Sequence, residues 1–454
     1  MNRIIIAIAV LMLTAGCKTY KQYSRPDDVI ADNLFGEGVA ADDTATIASI
    51  PWREFFTDSY LQELIETGLV NNADLRIASL RVAEAEATLS AARLAYLPSV
   101  SLNPQGSISS FGGEKAVKTY NLGLSADWEL DIAGRITNEK RGAFADLQRQ
   151  ESYRRAVSTQ LVATIANTYY NLLTLDRQIA ISRESLGAWD EIIRTLEAKK
   201  KVGESNEAAV AQSKASRYEV ESSILSLTNQ VSVMENSLCS LLDITPRTIA
   251  RGQLEEQRFP DSLSVGVPLQ MLENRPDIRE AEYALKSTFY SVNVARSAFY
   301  PSLTLSGTIG WTNNGGASIV NPGKWLANAI GSLTQPIFNR GRNKANLEIA
   351  RARHAEALID FRHKLIEAGA EVNNALSQWQ NARARIAVSH SQIAELENAV
   401  RSTMLLMTYS DTGNYLEVLT ARQTLLSARL DETRQQFDKI QGVINLYHAL
   451  GGGD

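Results

Sequence analysis

The chain has 454 residues, of which 44% are hydrophobic and 21% charged, with a formal net charge of -5. Basic and acidic residues are interspersed, which leaves no footprint for nucleic acid, and no such partner is expected. Two cysteines cannot build a disulfide framework.

Residues 1–16 read as a targeting signal. Arg3 supplies a short positive region, and Ile4 to Leu13 form an apolar core of about ten residues, too short to cross a bilayer of about 30 Å. Ala15 and Gly16 directly before Cys17 resemble a bacterial lipoprotein signal, which implies a lipid on Cys17; Thr14 stands where that pattern has leucine, and plain cleavage is the alternative. Lys18 in place of an aspartate implies sorting to the outer membrane, where two or three acyl chains anchor firmly. Residues 17–57 then form the lipid-anchored N-terminal segment.

No later apolar run approaches 18 residues, so a spanning helix is excluded and any spanning part must be β. A helix is predicted from Asp74 to Leu97, ending at Pro98, followed by strands over about 99–132. From Tyr120 onward, Leu122, Leu124, Ala126, Trp128 and Leu130 alternate with Asn121, Gly123, Ser125, Asp127 and Glu129, the period-two pattern of a strand. A helix from Ile136 to Val202 contains no proline and would reach about 100 Å. A turn at Gly203 leads into a further helix, Asn206 to Leu242.

The second half repeats this order. A displacement of 203 residues carries Asp74, Arg76, Arg93, Pro98 and Ser99 onto Asp277, Arg279, Arg296, Pro301 and Ser302. The chain thus holds two copies of one unit, 58–260 and 261–454. In the second, strands fall at about 301–338, with Trp325–Leu333 the weakest, and a long helix covers 342–410. A turn at Gly413 and a C-terminal helix follow. Leu358, Leu365, Val372, Trp379, Ile386, Ile393, Val400 and Met407 stand seven residues apart, beside a row of Ala368, Ala375, Ala382 and Ser389. That is coiled-coil periodicity with small residues permitting close approach.

Alternation alone fits two hairpins on a soluble sheet equally well. The helices favour another architecture, in which two half-length helices stacked end to end lie beside one full-length helix. All four strands then emerge at one end of a helical rod, with Pro98 and Pro301 at the passage from helix to barrel. Four strands cannot close, so several chains must share a barrel. Two chains would give eight strands and a filled interior, whereas three give twelve and an aqueous lumen.

The stretches "WREFFTDSYLQELIETGLVNNADLRIA", "NRPDIREAEYAL", "ARSAFYPSLTLSG", "QPIFNRGRNKANLEIA" and "INLYHALGGG" resemble the TolC-like outer-membrane efflux lipoproteins of tripartite resistance-nodulation-division pumps. The resemblance covers nearly the whole chain. It implies a mainly α-helical homotrimer whose α-barrel of coiled-coil helices continues into a twelve-stranded membrane β-barrel. It further implies a belt built from Tyr23–Trp52, Leu242–Met271 and the C-terminus. The implied partners are outer-membrane lipid, a periplasmic adaptor and an inner-membrane pump, and the implied function is export of drugs or other toxic small molecules. Heavy-metal efflux, type I secretion and a purely structural coiled coil are the alternatives.

In the family a narrow ring near the helix tips is formed by an inward leucine followed by an acidic and a basic residue; these fall on Leu416, Thr420 and Gln423, of which only the leucine is retained. Glu417 is the nearest replacement carboxylate, and Leu416 could instead be a core position packing Leu419. The tip turns at Gly203 and Gly413 would meet the adaptor. No catalytic, cofactor or metal site is expected: His354, His363, His390 and His448 lack zinc-ligand spacing and read as solvated helix positions. Cys239 reads as a small packing residue. Arg275 to Asp277 could mark an ion site, or Pro276 could simply open a helix.

Overall fold

The computed structural model describes residues 20–26, 47–259, 275–313, 324–409 and 415–453. Cys17 and Gly413 therefore lie outside the described residues, as do 27–46 and 260–271 of the expected belt.

The elements duplicate as the sequence does. Short helices α1 (Trp52–Phe55) and α2 (Ser59–Asn71) lead into α3 (Ala73–Leu94), β1 (Ser99–Ser109), β2 (Val117–Leu130), α4 (Arg135–Lys201) and α5 (Glu207–Leu241). The second copy is α6 (Pro276–Ser297), β3 (Ser302–Thr312), β4 (Lys324–Thr334), α7 (Arg342–Tyr409) and α8 (Tyr415–Ala449). Corresponding helices match in length: 22 residues in α3 and α6, 67 and 68 in α4 and α7, and 35 in both α5 and α8.

Local chemistry sets the boundaries. Pro98 and Pro301 each stand immediately before a strand, after the last turn of a helix. Asp131 opens α4 by accepting from the amides of Ile136 (2.9 Å) and Thr137 (2.8 Å), satisfying two donors that have no partner within the helix. At the other end of α4, Gly203 adopts φ +84° and Asn206 caps α5 by accepting from Ala209 N at 2.9 Å.

Two compact units result, and both cut across the repeats. One comprises residues 1–30, 80–152 and 279–363 and carries the sheet; the other comprises 31–79, 153–278 and 364–454. The core of the second unit brings Trp52, Phe55 and Phe56 together with Ile249, Leu254 and the C-terminal Tyr447. Phe55 stacks on Tyr447 with centroids 4.1 Å apart, and Tyr447 donates to Ile50 O at 2.7 Å. Among the described residues 20–26, Tyr23, expected in the belt, packs its ring edge-on against Phe289 at 5.7 Å, in the sheet-bearing unit.

The heptad row is visible as burial. Val372, Trp379, Val400 and Met407 are buried, and so is the whole small-residue row Ala368, Ala375, Ala382 and Ser389. Small side chains there let α8 approach closely: a Cβ added to Gly442 would lie 2.9 Å from the backbone nitrogen of Trp379. We expect Gly442→Ala to cost about 1–3 kcal/mol of stability through overpacking, measurable as a lower thermal midpoint.

Candidate functional site

The sheet has strand order β1-β2-β3-β4, antiparallel throughout. Its register aligns Leu102 with Leu124, Leu124 with Ile309, and Trp311 with both Leu122 and Trp325. One face is therefore continuously apolar. The other carries Ser, Thr, Asn and Asp side chains bonded to one another across strands: Ser101 to Ser125 at 2.8 Å, Ser107 to Thr119 at 2.6 Å, and Ser306 to Asp127 at 2.6 Å.

Neither face is covered. Val100 is 68% exposed, Ile108 72%, Trp325 64% and Leu333 67%, and no strand residue joins either hydrophobic core. A soluble antiparallel sheet buries one face on a core; this one presents apolar side chains outward on one side and hydrated groups on the other, as the wall of a membrane barrel does. The two-hairpin soluble sheet is thereby excluded. β4 was the weakest strand in the sequence because Leu326 and Ile330 fall on its polar face.

At the helix tips of the second unit, Trp189, Ile192, Leu196, Ala209, Val210, Met407, Val418 and Leu419 form a small core of their own. Ion pairs ring it: Lys214 with Glu197 at 2.7 Å, Arg217 with Asp190 at 2.6 Å, and Lys200 with Glu207. Leu416 does not enter this core. It is 52% exposed, and Thr420 and Gln423, one and two turns further on, are exposed on the same face of α8, with Gln423 Nε2 3.5 Å from Glu219. Glu417 is exposed beside them. The alternative that Leu416 packs with Leu419 as a core position is therefore corrected, since Val418 and Leu419 face inward and Leu416 faces away.

Of the two readings of Arg275 to Asp277, both hold in part, and the partners that complete a buried charge cluster there are what sequence reasoning missed. Pro276 does open α6, but the ion at this place is Arg275 itself, only 3% exposed. Its guanidinium grips Asp277 at 2.7 and 3.0 Å, pairs with Glu371 of α7 at 2.7 Å, and donates to the carbonyl of Ala449 at 3.0 Å. His448 adjoins it: burial and the charge of Arg275 lower its pKa, with Glu371 and Asp277 opposing. The expectation of four solvated histidines thus holds for exposed His363 and His390, the latter 2.5 Å from Glu432. It fails for half-buried His448 and for His354, whose Nδ1 lies 3.2 Å from Thr288 Oγ1 and whose pKa burial lowers. Cys239 is buried in the large core, as a small packing residue would be.

A duplicated helical chain with a two-faced, uncovered sheet is a subunit of a membrane barrel with a helical extension. Residues 64–243 and 267–452, one stretch in each repeat, match the outer membrane efflux protein family. The chain belongs to that family and is an efflux channel protein of the outer membrane. It is 30% identical over 462 residues to the cation efflux system protein CusC of Escherichia coli strain K12, covering 99% of both chains. It is 27% identical over 470 residues to the antibiotic efflux pump outer membrane protein ArpC of Pseudomonas putida, covering 100% of this chain and 96% of that one. Its fold superposes on crystallised CusC with a TM-score of 0.86 (29% identity, 95% of this chain, 99% of that one). The open-state MtrE outer membrane channel of Neisseria gonorrhoeae gives 0.85 (26% identity, 96% and 98%).

Proposed function

We propose that three copies of this chain form the exit duct of a tripartite pump that exports small toxic molecules across the periplasm and outer membrane. The observation that carries this reading is the sheet: four strands, two uncovered faces of opposite polarity, and free edges at β1 and β4. Unpaired strand edges are untenable in lipid, so β1 of one copy pairs with β4 of the next, and three copies give about twelve strands around a hydrated lumen. The periplasmic adaptor meets the helix tips at Gly203 and Gly413, and the inner-membrane resistance-nodulation-division pump supplies cargo. The duct itself performs no catalysis.

Light scattering of the detergent-extracted protein, corrected for bound detergent, is expected to give three times the mass of the mature chain that begins at Cys17, which is less than the 49.9 kDa of the full sequence. A monomer or dimer would overturn both barrel closure and the pore. Cargo class has two readings. Drugs follow from the resemblance seen in the sequence, whereas metal cations are favoured by the 30% identity to a cation efflux protein. In a strain lacking the gene, gain of sensitivity to hydrophobic antibiotics rather than to copper or silver decides for the first.

Cys17 carries the lipid in this reading, and barrel insertion is independent of it, because strand closure satisfies the backbone in hydrocarbon without any acyl chain. Cys17→Ser is expected to lose metabolic palmitate labelling while remaining in outer-membrane fractions. Persisting label would refute the lipoprotein assignment.

A further inference from the structure

In the sheet-bearing unit a cavity of about 600 Å³ opens between α3, α4 and α6. Its polar lining is Arg93, Lys140, Arg141 and Lys286, four cations from three helices with no carboxylate among them. We infer that this pocket binds the phosphate of an anionic phospholipid from the inner leaflet of the outer membrane.

Four like charges converging on one cavity repel unless an anion joins them. The acid nearest in sequence on the Lys286 face of α6, Glu282, is already held by Arg25 at 2.6 and 2.9 Å. Aromatic rings hold two of the cations in place: Lys140 Nζ lies 4.9 Å from the Tyr96 ring centre and Arg141 Cζ 5.3 Å from that of Tyr20. The Arg141 Nη1 group is buried and has no hydrogen-bond partner among the described residues, a costly state that a phosphate oxygen would relieve.

The rest of the lining suits a lipid better than a free ion. Leu89 and Tyr290 form a buried apolar floor, and Phe144 stands 44% exposed at the mouth. Exposed Leu94 and Leu97 follow Arg93 on the way into β1, so apolar side chains lie between the pocket's helix and the membrane strands in sequence. The strap of residues 20–25 lies on the same face of α6, with Lys21 O accepting from Asn293 at 3.2 Å. Tyr20, over Arg141, is three residues from Cys17. That the pocket faces lipid and not the lumen rests on the proposed anchor at Cys17.

The test titrates phosphatidylglycerol into the detergent-extracted full-length protein and follows the thermal midpoint, with inorganic phosphate in parallel. A saturable rise with the lipid and none with phosphate is expected. Lys140→Gln with Arg141→Gln should weaken the apparent affinity at least about tenfold. A second pair, Arg93→Gln with Lys286→Gln, keeps the Arg141–Tyr20 contact and should do the same, so misfolding of the first pair cannot decide the matter. Arg353→Gln, in a separate pocket of this unit, should leave the affinity unchanged. Undiminished lipid binding in both double variants overturns the site, and stabilisation by inorganic phosphate equal to that by lipid overturns the lipid. Intact mass of the same sample reports Cys17: an acylated chain that ignores the lipid refutes the pocket, whereas an unacylated chain that binds it refutes the anchor and supports the pocket.

Discussion

Arg275→Ala is expected to cost about 2–3 kcal/mol, because it removes a buried guanidinium whose charge-assisted hydrogen bonds tie Asp277, half-exposed Glu371 and the carbonyl of Ala449 together. Arg275 is nearly inaccessible, and three elements converge on it: Asp277 in the first turn of α6, Glu371 on α7, and the last carbonyl of α8. The double variant Arg275→Ala with Asp277→Asn should lose less than the sum of the two single changes, since it removes an unpaired charge as well. The cluster also gives stability a pH dependence. Burial alone would raise the Asp277 pKa, but the hydrogen bonds and charge of Arg275 hold it below the usual carboxylate range. A carboxyl depressed in the folded state contributes fully above about pH 4 and loses that contribution as pH falls through its lower folded value. His448 acts at higher pH. With its folded pKa lowered, it stays neutral while the unfolded chain takes up a proton, so stability erodes as pH falls below about 6.5. Thermal midpoints measured from pH 8 to 3 should fall in two steps, and Arg275→Ala should shrink the upper one by removing the charge that opposes protonation.

Periodicity made most of the fold legible. Strict seven-residue spacing marks α7, the displacement of 203 residues exposes the duplication, and period-two alternation marks β2 and β3. Those signals are local and repeat many times, so they survive single exceptions such as Ile330. Of the Arg275 cluster only the pairing with Asp277, two positions away, was hinted at, because Glu371 and Ala449 lie 96 and 174 positions away and belong to no periodic row. The contact of Tyr23 with Phe289 was not legible either: a chain segment without regular structure carries no period, and the aromatic face of α6 tells where it docks. The four cations of the lipid pocket come from three helices, and in sequence each resembles any other solvated lysine or arginine.

The second large effect is expected at the helix tips. In the proposed duct an unobstructed tube would leak, and the tips are where helices can converge, since no sheet braces them. Leu416, Thr420 and Gln423 share an exposed face of α8, and the opposite side of that helix is occupied by Val418 and Leu425 in the core. We propose that a ring of three Leu416 side chains closes the gate by contact between subunits, with Glu417 beside it and Glu219 against Gln423. Leu416→Ala should raise resting conductance in planar bilayers severalfold and make cells more sensitive to vancomycin, a solute too large for an intact barrier. Removing a half-exposed side chain should change stability by less than about 1 kcal/mol, against about 2–5 kcal/mol for truncating a buried leucine. The contrast with Leu419→Ala is the control: Leu419 is 7% exposed, so its truncation should lower the melting point without opening the channel. A Leu416→Ala protein that melts early and does not leak would move the constriction elsewhere on the tip.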